Sequence, residues 1–193
     1  MTPDGVLRWW PPIGIALMVV LGRLVGGGST RLDDWFISTG ESHPSVDALL
    51  VFTQPLVLVI LLLTAVLVAA YRRRWRLVVV VVLTPAVAVV AARLVKELFG
   101  REKGSSLAYP SGHVTAMVAV LGMLVLMAGA RRWMLGAAAV FALLGIAGQA
   151  LTYHYFTDTV GAAFLGTALV GIAFAAAGLD RCQPRCDLHH SDG

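Results

Sequence analysis

Two short stretches carry most of the side chains with which this chain could do chemistry, Pro110-Ser111-Gly112-His113 and His154-Tyr155-Phe156-Thr157-Asp158. His154 and Asp158 are four positions apart, so on a helix their side chains stack on one face. A carboxylate placed there can hold one ring N–H, which fixes the tautomer and leaves the other nitrogen free as nucleophile or base. In the first stretch a turn feeds a helix whose opening N–H groups have no partners. Gly112 lets a ligand approach the backbone, Ser111 adds a hydroxyl donor, and the helix dipole favours an anion. This is a phosphate cradle, and His113 at its edge can protonate a leaving alkoxide as a general acid. Lys96, Arg101 and Lys103 lie just before it. A phosphate monoester carries about two negative charges near neutral pH, which is what several nearby cations would meet.

For these pieces to act together, the elements between them must bring them to one side. A chain that is 58% hydrophobic and 13% charged lacks the polar side chains to cover a water-exposed surface, so it is expected in a bilayer. At roughly 20 apolar residues per span, six spans use about 120 positions and leave short loops. The expected fold is all-α, a six-transmembrane-helix bundle over residues 1–178. The net charge of +4 sits in small clusters between apolar runs, which argues against a nucleic-acid partner and for a role in orientation. Cys182 and Cys186 are the only cysteines, so no disulfide framework holds the body together. With His189 and His190 they are of zinc-binding type, but their spacing fits no compact finger. Residues 179–193 are expected to be a disordered cytoplasmic tail.

The spans follow in order. Trp9-Trp10-Pro11-Pro12 predicts an interfacial anchor with prolines in the first helical turn, and span one runs to about Gly28, with Arg23 snorkelling. Ser29 to Ser45 is expected to be a polar loop with a short segment at the membrane surface. Span two runs from about Val46 to Tyr71. Arg72, Arg73, Arg74 and Arg76 then mark the cytoplasmic side. Span three, about Leu77 to Val95, carries Pro85 and an expected kink. Span four runs from His113 to the second basic cluster, Arg131-Arg132, and span five from Trp133 to about Leu151. Span six follows Asp158 to about Gly178, with Ala162 and Gly166, or Thr167 and Gly171, spaced for close packing. Both basic clusters agree with this layout. It predicts an integral plasma-membrane protein with cytoplasmic termini and both histidine stretches on the extracytoplasmic face.

The order Lys, basic residue, Pro-Ser-Gly-His, His-x3-Asp resembles the type 2 phosphatidic acid phosphatase superfamily, which includes bacterial lipid phosphate and polyprenyl pyrophosphate phosphatases. Its signature is Lys-x6-Arg-Pro, then Pro-Ser-Gly-His, then Ser-Arg-x5-His-x3-Asp. The resemblance implies a six-helix membrane hydrolase of lipid metabolism that needs no metal or other cofactor. His154 would attack phosphorus to give a phosphohistidine, assisted by Asp158. His113 would protonate the leaving group, and Lys96, Lys103, Ser111 and the Gly112 N–H would hold the phosphoryl oxygens, before water releases phosphate. The chain departs from the signature at two places. Lys103-Gly104 stands for Arg-Pro, and Ala147-Gly148 for Ser-Arg. Arg93 or Arg101 is a candidate to replace the missing arginine, and Gln149 a candidate uncharged donor. Restoring the arginine by Gly148→Arg is expected to raise the rate unless another cation fills that space.

Three rivals stand beside a phosphatase. One is a weakened or inactive lipid-phosphate-binding protein of the same fold. The second is a transporter or channel, for which these spans have almost no mid-bilayer polar residues. The third is a phosphotransferase that uses an acceptor other than water. The substrate class spans phosphatidic acid, phosphatidylglycerol phosphate, a polyprenyl phosphate or pyrophosphate and a glycolipid precursor. Membrane lipids are the other expected partners, and the oligomeric state is left open.

Overall fold

The computed structural model describes residues 3–178. The expectations for residues 179–193, the disordered tail and its cysteines and histidines, fall outside the described residues. Among the described residues seven α-helices follow one another, α1 (Pro3–Val25), α2 (Arg31–Ser42), α3 (Pro55–Tyr71), α4 (Trp75–Phe99), α5 (Gly112–Met127), α6 (Arg132–Thr152) and α7 (Phe156–Ala176). A 3-10 segment, Pro44–Thr53, precedes α3, and a two-residue hairpin, β1 (Glu102–Lys103) against β2 (Ser106–Leu107), bridges α4 and α5. Five stretches among the described residues are long and apolar enough to cross a membrane: Arg8–Val25, Pro44–Tyr71, Trp75–Phe99, Arg132–Thr152 and Phe156–Ala176.

The fourth expected span is the exception. Helix α5 has 16 residues, about 24 Å at 1.5 Å per residue, against a hydrocarbon core of about 30 Å. Its buried positions, among them Val114, Met117, Ala119, Val120 and Met123, point in every direction around its axis, as expected of a helix surrounded by others. It is the central post, in contact with α3, α4, α6 and α7.

Other boundaries also depart from the apolar pattern. The second span breaks at Gln54, because the residue before a proline is pushed out of the helical region; Gln54 sits at φ −62°, ψ 132° and Pro55 opens α3. Helix α1 starts at Pro3, so Pro11 and Pro12 fall inside it rather than in its first turn. Helix α4 continues through Pro85 and ends at Gly100, whose φ of 60° suits a glycine cap. Ser29 to Ser45 is not a loop. Thr30 caps α2 and Asp33 completes a capping box, and Gly40 lies against the Leu151 backbone of α6, where any Cβ would collide.

Helices α3 and α4 pack tightly at one end and splay at the other. Near their connecting turn, Ala65 and Ala69 share a core with Leu77, Val81, Met123 and Met127. Towards the end that carries the hairpin, Leu58 and Leu62 of α3 and Val89 and Ala92 of α4 line an open cleft whose floor is α5. Helix α7 uses its small residues as anticipated, for a Cβ on Gly166 would come within 2.8 Å of Val118, and Ala162 sits in the core around α5. The Tyr109 ring fills the space beside Gly22 and Gly161, and its hydroxyl donates to the Met18 carbonyl. Burial, with the Asp158 charge adding to it, pushes the Tyr109 hydroxyl well above its ordinary pKa, so it stays a neutral donor. This one ring ties the α5 entry loop to α1 and α7.

Candidate functional site

The two histidine stretches meet at one end of the bundle. The Ser111 N–H donates to the Asp158 carbonyl at 3.1 Å, which joins the start of α5 to the start of α7. His113 and His154 then line one cavity of about 740 Å³ together with Arg93, Lys96 and Gly112. The Lys96 Nζ donates to the Leu107 carbonyl at 2.6 Å, which fixes it at the rim and leaves two N–H donors for a ligand. Below this polar end the walls are apolar: Leu58, Val59 and Leu62 from α3, Pro85, Val89 and Ala92 from α4, and Ala116 and Val120 from α5. Lys96 and Pro85 are eleven residues apart on α4, so the cleft reaches roughly 16 Å along it.

Asp158 lies behind the cavity. It is fully buried, with one oxygen receiving the Tyr155 N–H at 3.2 Å and the other receiving Arg101 Nη1 at 2.7 Å. The His154 Nδ1 stands 3.8 Å from its nearer oxygen and has no hydrogen-bond partner among the described residues. The two residues expected to pair from their four-residue spacing are therefore neighbours, at a separation longer than a hydrogen bond.

Three other expected site residues do not face the cavity. Ser111 is fully buried and its Oγ accepts the Val114 N–H at 3.5 Å, so it serves as the α5 cap rather than as an exposed donor. Arg101, expected on phosphate, is 1% exposed and held from several sides. Its Nη1 donates to Asp158 and, at 2.8 Å, to the Thr157 hydroxyl, while Nη2 donates to the Gly28 carbonyl at 2.7 Å and to Asp33 at 3.2 Å. Two carboxylates with no exposure draw a guanidinium inward because an unpaired buried charge is costly. Lys103 packs over the Tyr155 ring, 5.1 Å from its centroid, and neither residue belongs to the cavity lining. Burial holds its ammonium below the usual lysine pKa, against the opposing pull of Asp158, Asp33 and Glu41.

Asp33 is the residue that sequence reasoning passed over. Besides capping α2, it accepts the Thr157 N–H at 2.9 Å and the Thr157 hydroxyl, which pins the first turn of α7. Its capping-box spacing from Thr30 is visible in the sequence, but nothing local points to a partner 124 positions away. Burial pushes the Asp33 carboxyl up, and the N–H and hydroxyl donors of Thr157 and Thr30 outweigh it, so its pKa lies below the ordinary value. A depressed carboxylate stabilises the fold above its unfolded pKa of about 3.9 and loses that contribution as pH falls through the lower folded value. Thermal unfolding in detergent is expected to drop in temperature below about pH 4, and Asp33→Asn to flatten that acid limb. Arg93, a candidate only as a substitute for the missing arginine, lines the cavity itself. It lies one turn before Lys96, and that i, i+3 spacing is the signal that places both on one face.

The gap at Gly148 is not a vacancy for a side chain. A Cβ there would come within 2.8 Å of the Leu49 backbone and 2.9 Å of its side chain. The glycine is what lets α6 meet the 3-10 segment, so the expected gain from Gly148→Arg is replaced by its opposite. That variant is expected to lose folded yield and thermal stability, measured by size-exclusion profile and melting in detergent, with no rise in turnover. Gln149 does turn inward, donating through Nε2 to Thr53 Oγ1 at 2.7 Å.

Taken together, the fold and site define an all-helical protein with membrane-length apolar helices and a cleft that is cationic and histidine-lined at one end and apolar along the rest. Comparison with family models, curated proteins and solved structures found no match.

Proposed function

We propose that this chain is an integral membrane phosphatase that hydrolyses a lipid phosphate through a phosphohistidine, as its motif resemblance to the type 2 phosphatidic acid phosphatases implies. The observation that carries the reading is the single cavity in which His113, His154, Lys96, Arg93 and Gly112 stand above apolar walls. An amphiphile with an anionic head and a hydrocarbon tail matches both halves. In this reading the cleft between α3 and α4 opens towards the bilayer, and the basic turns at Arg72–Arg76 and Arg131–Arg132 lie on the cytoplasmic side. The site end is then extracytoplasmic.

Lys96, Arg93 and the Gly112 N–H hold the phosphoryl oxygens. The His154 nitrogen away from Asp158 attacks phosphorus while Asp158, closing on Nδ1–H, stabilises the charge that develops on the ring. His113 gives its proton to the departing lipid oxygen, and water then attacks the phosphohistidine, returning the proton to His113. Arg93, rather than Arg101 or a residue at 148, supplies the arginine on the cavity side.

A second reading, a lipid-phosphate-binding protein without turnover, is favoured by the 3.8 Å separation of His154 from Asp158 and by the inward turn of Arg101. Phosphate release from a panel of lipid phosphates by purified protein in detergent separates the two. Release at a rate well above a His154→Ala control supports the enzyme; binding of a lipid phosphate without release supports the rival. Among the described residues no group of three His, Cys, Asp or Glu side chains is placed to hold a metal ion, and a chelator is expected to leave the rate unchanged. Strong inhibition by the chelator would point to a different mechanism.

A further inference from the structure

Behind the cavity wall Asp33, Arg101 and Asp158 form a row of three buried charges. Arg101 Nη2 meets Asp33 at 3.2 Å and Nη1 meets Asp158 at 2.7 Å, so one guanidinium is shared by two carboxylates and the row carries one negative charge in excess. On the far side of Asp158 stands His154, its Nδ1 enclosed and 3.8 Å from the nearer carboxylate oxygen. Were Arg101 paired with Asp158 alone, that pair would be neutral and would offer the ring a dipole instead of a charge. Asp33 supplies the excess, and it is firmly placed. Thr30 and Thr157 donate to it, Phe36 one turn later stacks on Phe156 at 4.5 Å, and Gly40 abuts the Leu151 backbone. Helix α2 is thereby clamped to the chain on both sides of His154.

We propose that Asp33 is a positioning residue of the phosphoryl-transfer site, which keeps Arg101 from neutralising Asp158 in full and so leaves a net negative charge facing the His154 ring. The inference rests on the phosphohistidine reading above. When the outer ring nitrogen attacks phosphorus, positive charge develops on the imidazole, and a fixed negative charge behind it stabilises that state more than the neutral ring. The charge acts through a buried row where water screens it little. The other groups around the ring cannot take this part. His113 from α5 and Lys96 and Arg93 from α4 share the cavity with it, and none of them is acidic. Lys103 of β1 packs over the adjoining Tyr155 and feels Glu41 of α2 as well as Asp158 and Asp33. Asp33 itself is not among the residues that line the cavity, so its effect falls on the chemical step rather than on lipid binding.

The test compares Asp33→Asn, which removes the charge and keeps the shape, with Asp33→Glu, which keeps the charge. The acid limb of kcat/KM against pH reports the ring that must be unprotonated to attack. Loss of a nearby negative charge makes the imidazolium less stable, so the ring sheds its proton at lower pH. In Asp33→Asn the limb is expected about one pH unit lower, with kcat down about tenfold and KM within about twofold of wild type. In Asp33→Glu the limb should stay in place. Phe36→Ala, which loosens the same helix without removing a charge, should lower the melting temperature and leave the limb where it was. Carbethoxylation of His154 by diethyl pyrocarbonate, followed by peptide mass spectrometry, needs an unprotonated ring but no turnover, and its pH midpoint should move with the limb. Both midpoints are read on whatever fraction is folded, and Asp33→Ser, which can still accept from Thr157, serves as a second neutral variant. A midpoint that stays in place in both neutral variants, or that moves as far in Asp33→Glu or Phe36→Ala, overturns the proposal and leaves the phosphatase standing. A shifted carbethoxylation midpoint in a protein that releases phosphate from no lipid keeps the charge coupling and sinks the phosphatase.

Discussion

His154→Ala is expected to reduce lipid phosphate turnover by a factor on the order of 10⁴ or more, because removing a nucleophile takes away the covalent route rather than weakening one contact. The wild type should accumulate an acid-labile phosphoprotein when denatured during turnover, and the variant should not. A phosphate-mimicking oxyanion should inhibit the wild type by occupying the cationic end of the cleft. Asp158→Asn is expected to cost less than His154→Ala, since the 3.8 Å separation makes the carboxylate an orienting and charge-stabilising partner. If His154→Ala retains turnover within tenfold of wild type, the nucleophile assignment fails. The cavity would then have to work through His113 or through an attacking water.

Arg101→Met is expected to give the largest loss of stability of any single change considered. The arginine is 1% exposed and faces two carboxylates with no exposure, Asp33 and Asp158. Removing it leaves two buried like charges without a counterion, and breaking a buried pair of this kind costs about 3–5 kcal/mol. It also releases the Gly28 carbonyl and the Thr157 hydroxyl, so the end of α1, the start of α2 and the first turn of α7 lose their common anchor. Melting in detergent should fall sharply, and the remaining folded protein should have lost turnover because Asp158 is no longer held. A lysine ammonium is one compact charge instead of a planar fork, so Arg101→Lys should recover only part of the loss. A variant with Asp33→Asn and Arg101→Met together should melt higher than Arg101→Met alone, since it buries one charge fewer. If Arg101→Met melts like wild type, the cluster is not what holds this end of the bundle.

The sequence alone was enough for the helical class, because apolar runs near membrane length between basic turns admit few other structures, and enough for the pairing of two histidine stretches at one end, because helix parity forces it. The small-residue face of α7 was legible for the same reason, since spacing on a helix is geometry. What the sequence could not decide was which cations face the cavity. Lys96, Arg93, Arg101 and Lys103 are similar in one dimension; only the burial of Asp33 against α7 shows why Arg101 turns inward, and only the splay of α3 from α4 shows that Arg93 and Lys96 line the cleft. Helix α2 was hidden because its capping signal is local whereas its purpose, holding Thr157, lies 124 residues downstream. The glycine at 148 looked like a lost arginine in the motif and is a close backbone approach in space. Local patterns determine elements because they depend on neighbours along the chain. Charge partners and close approaches depend on what the fold places opposite them, and that is settled only when distant segments meet.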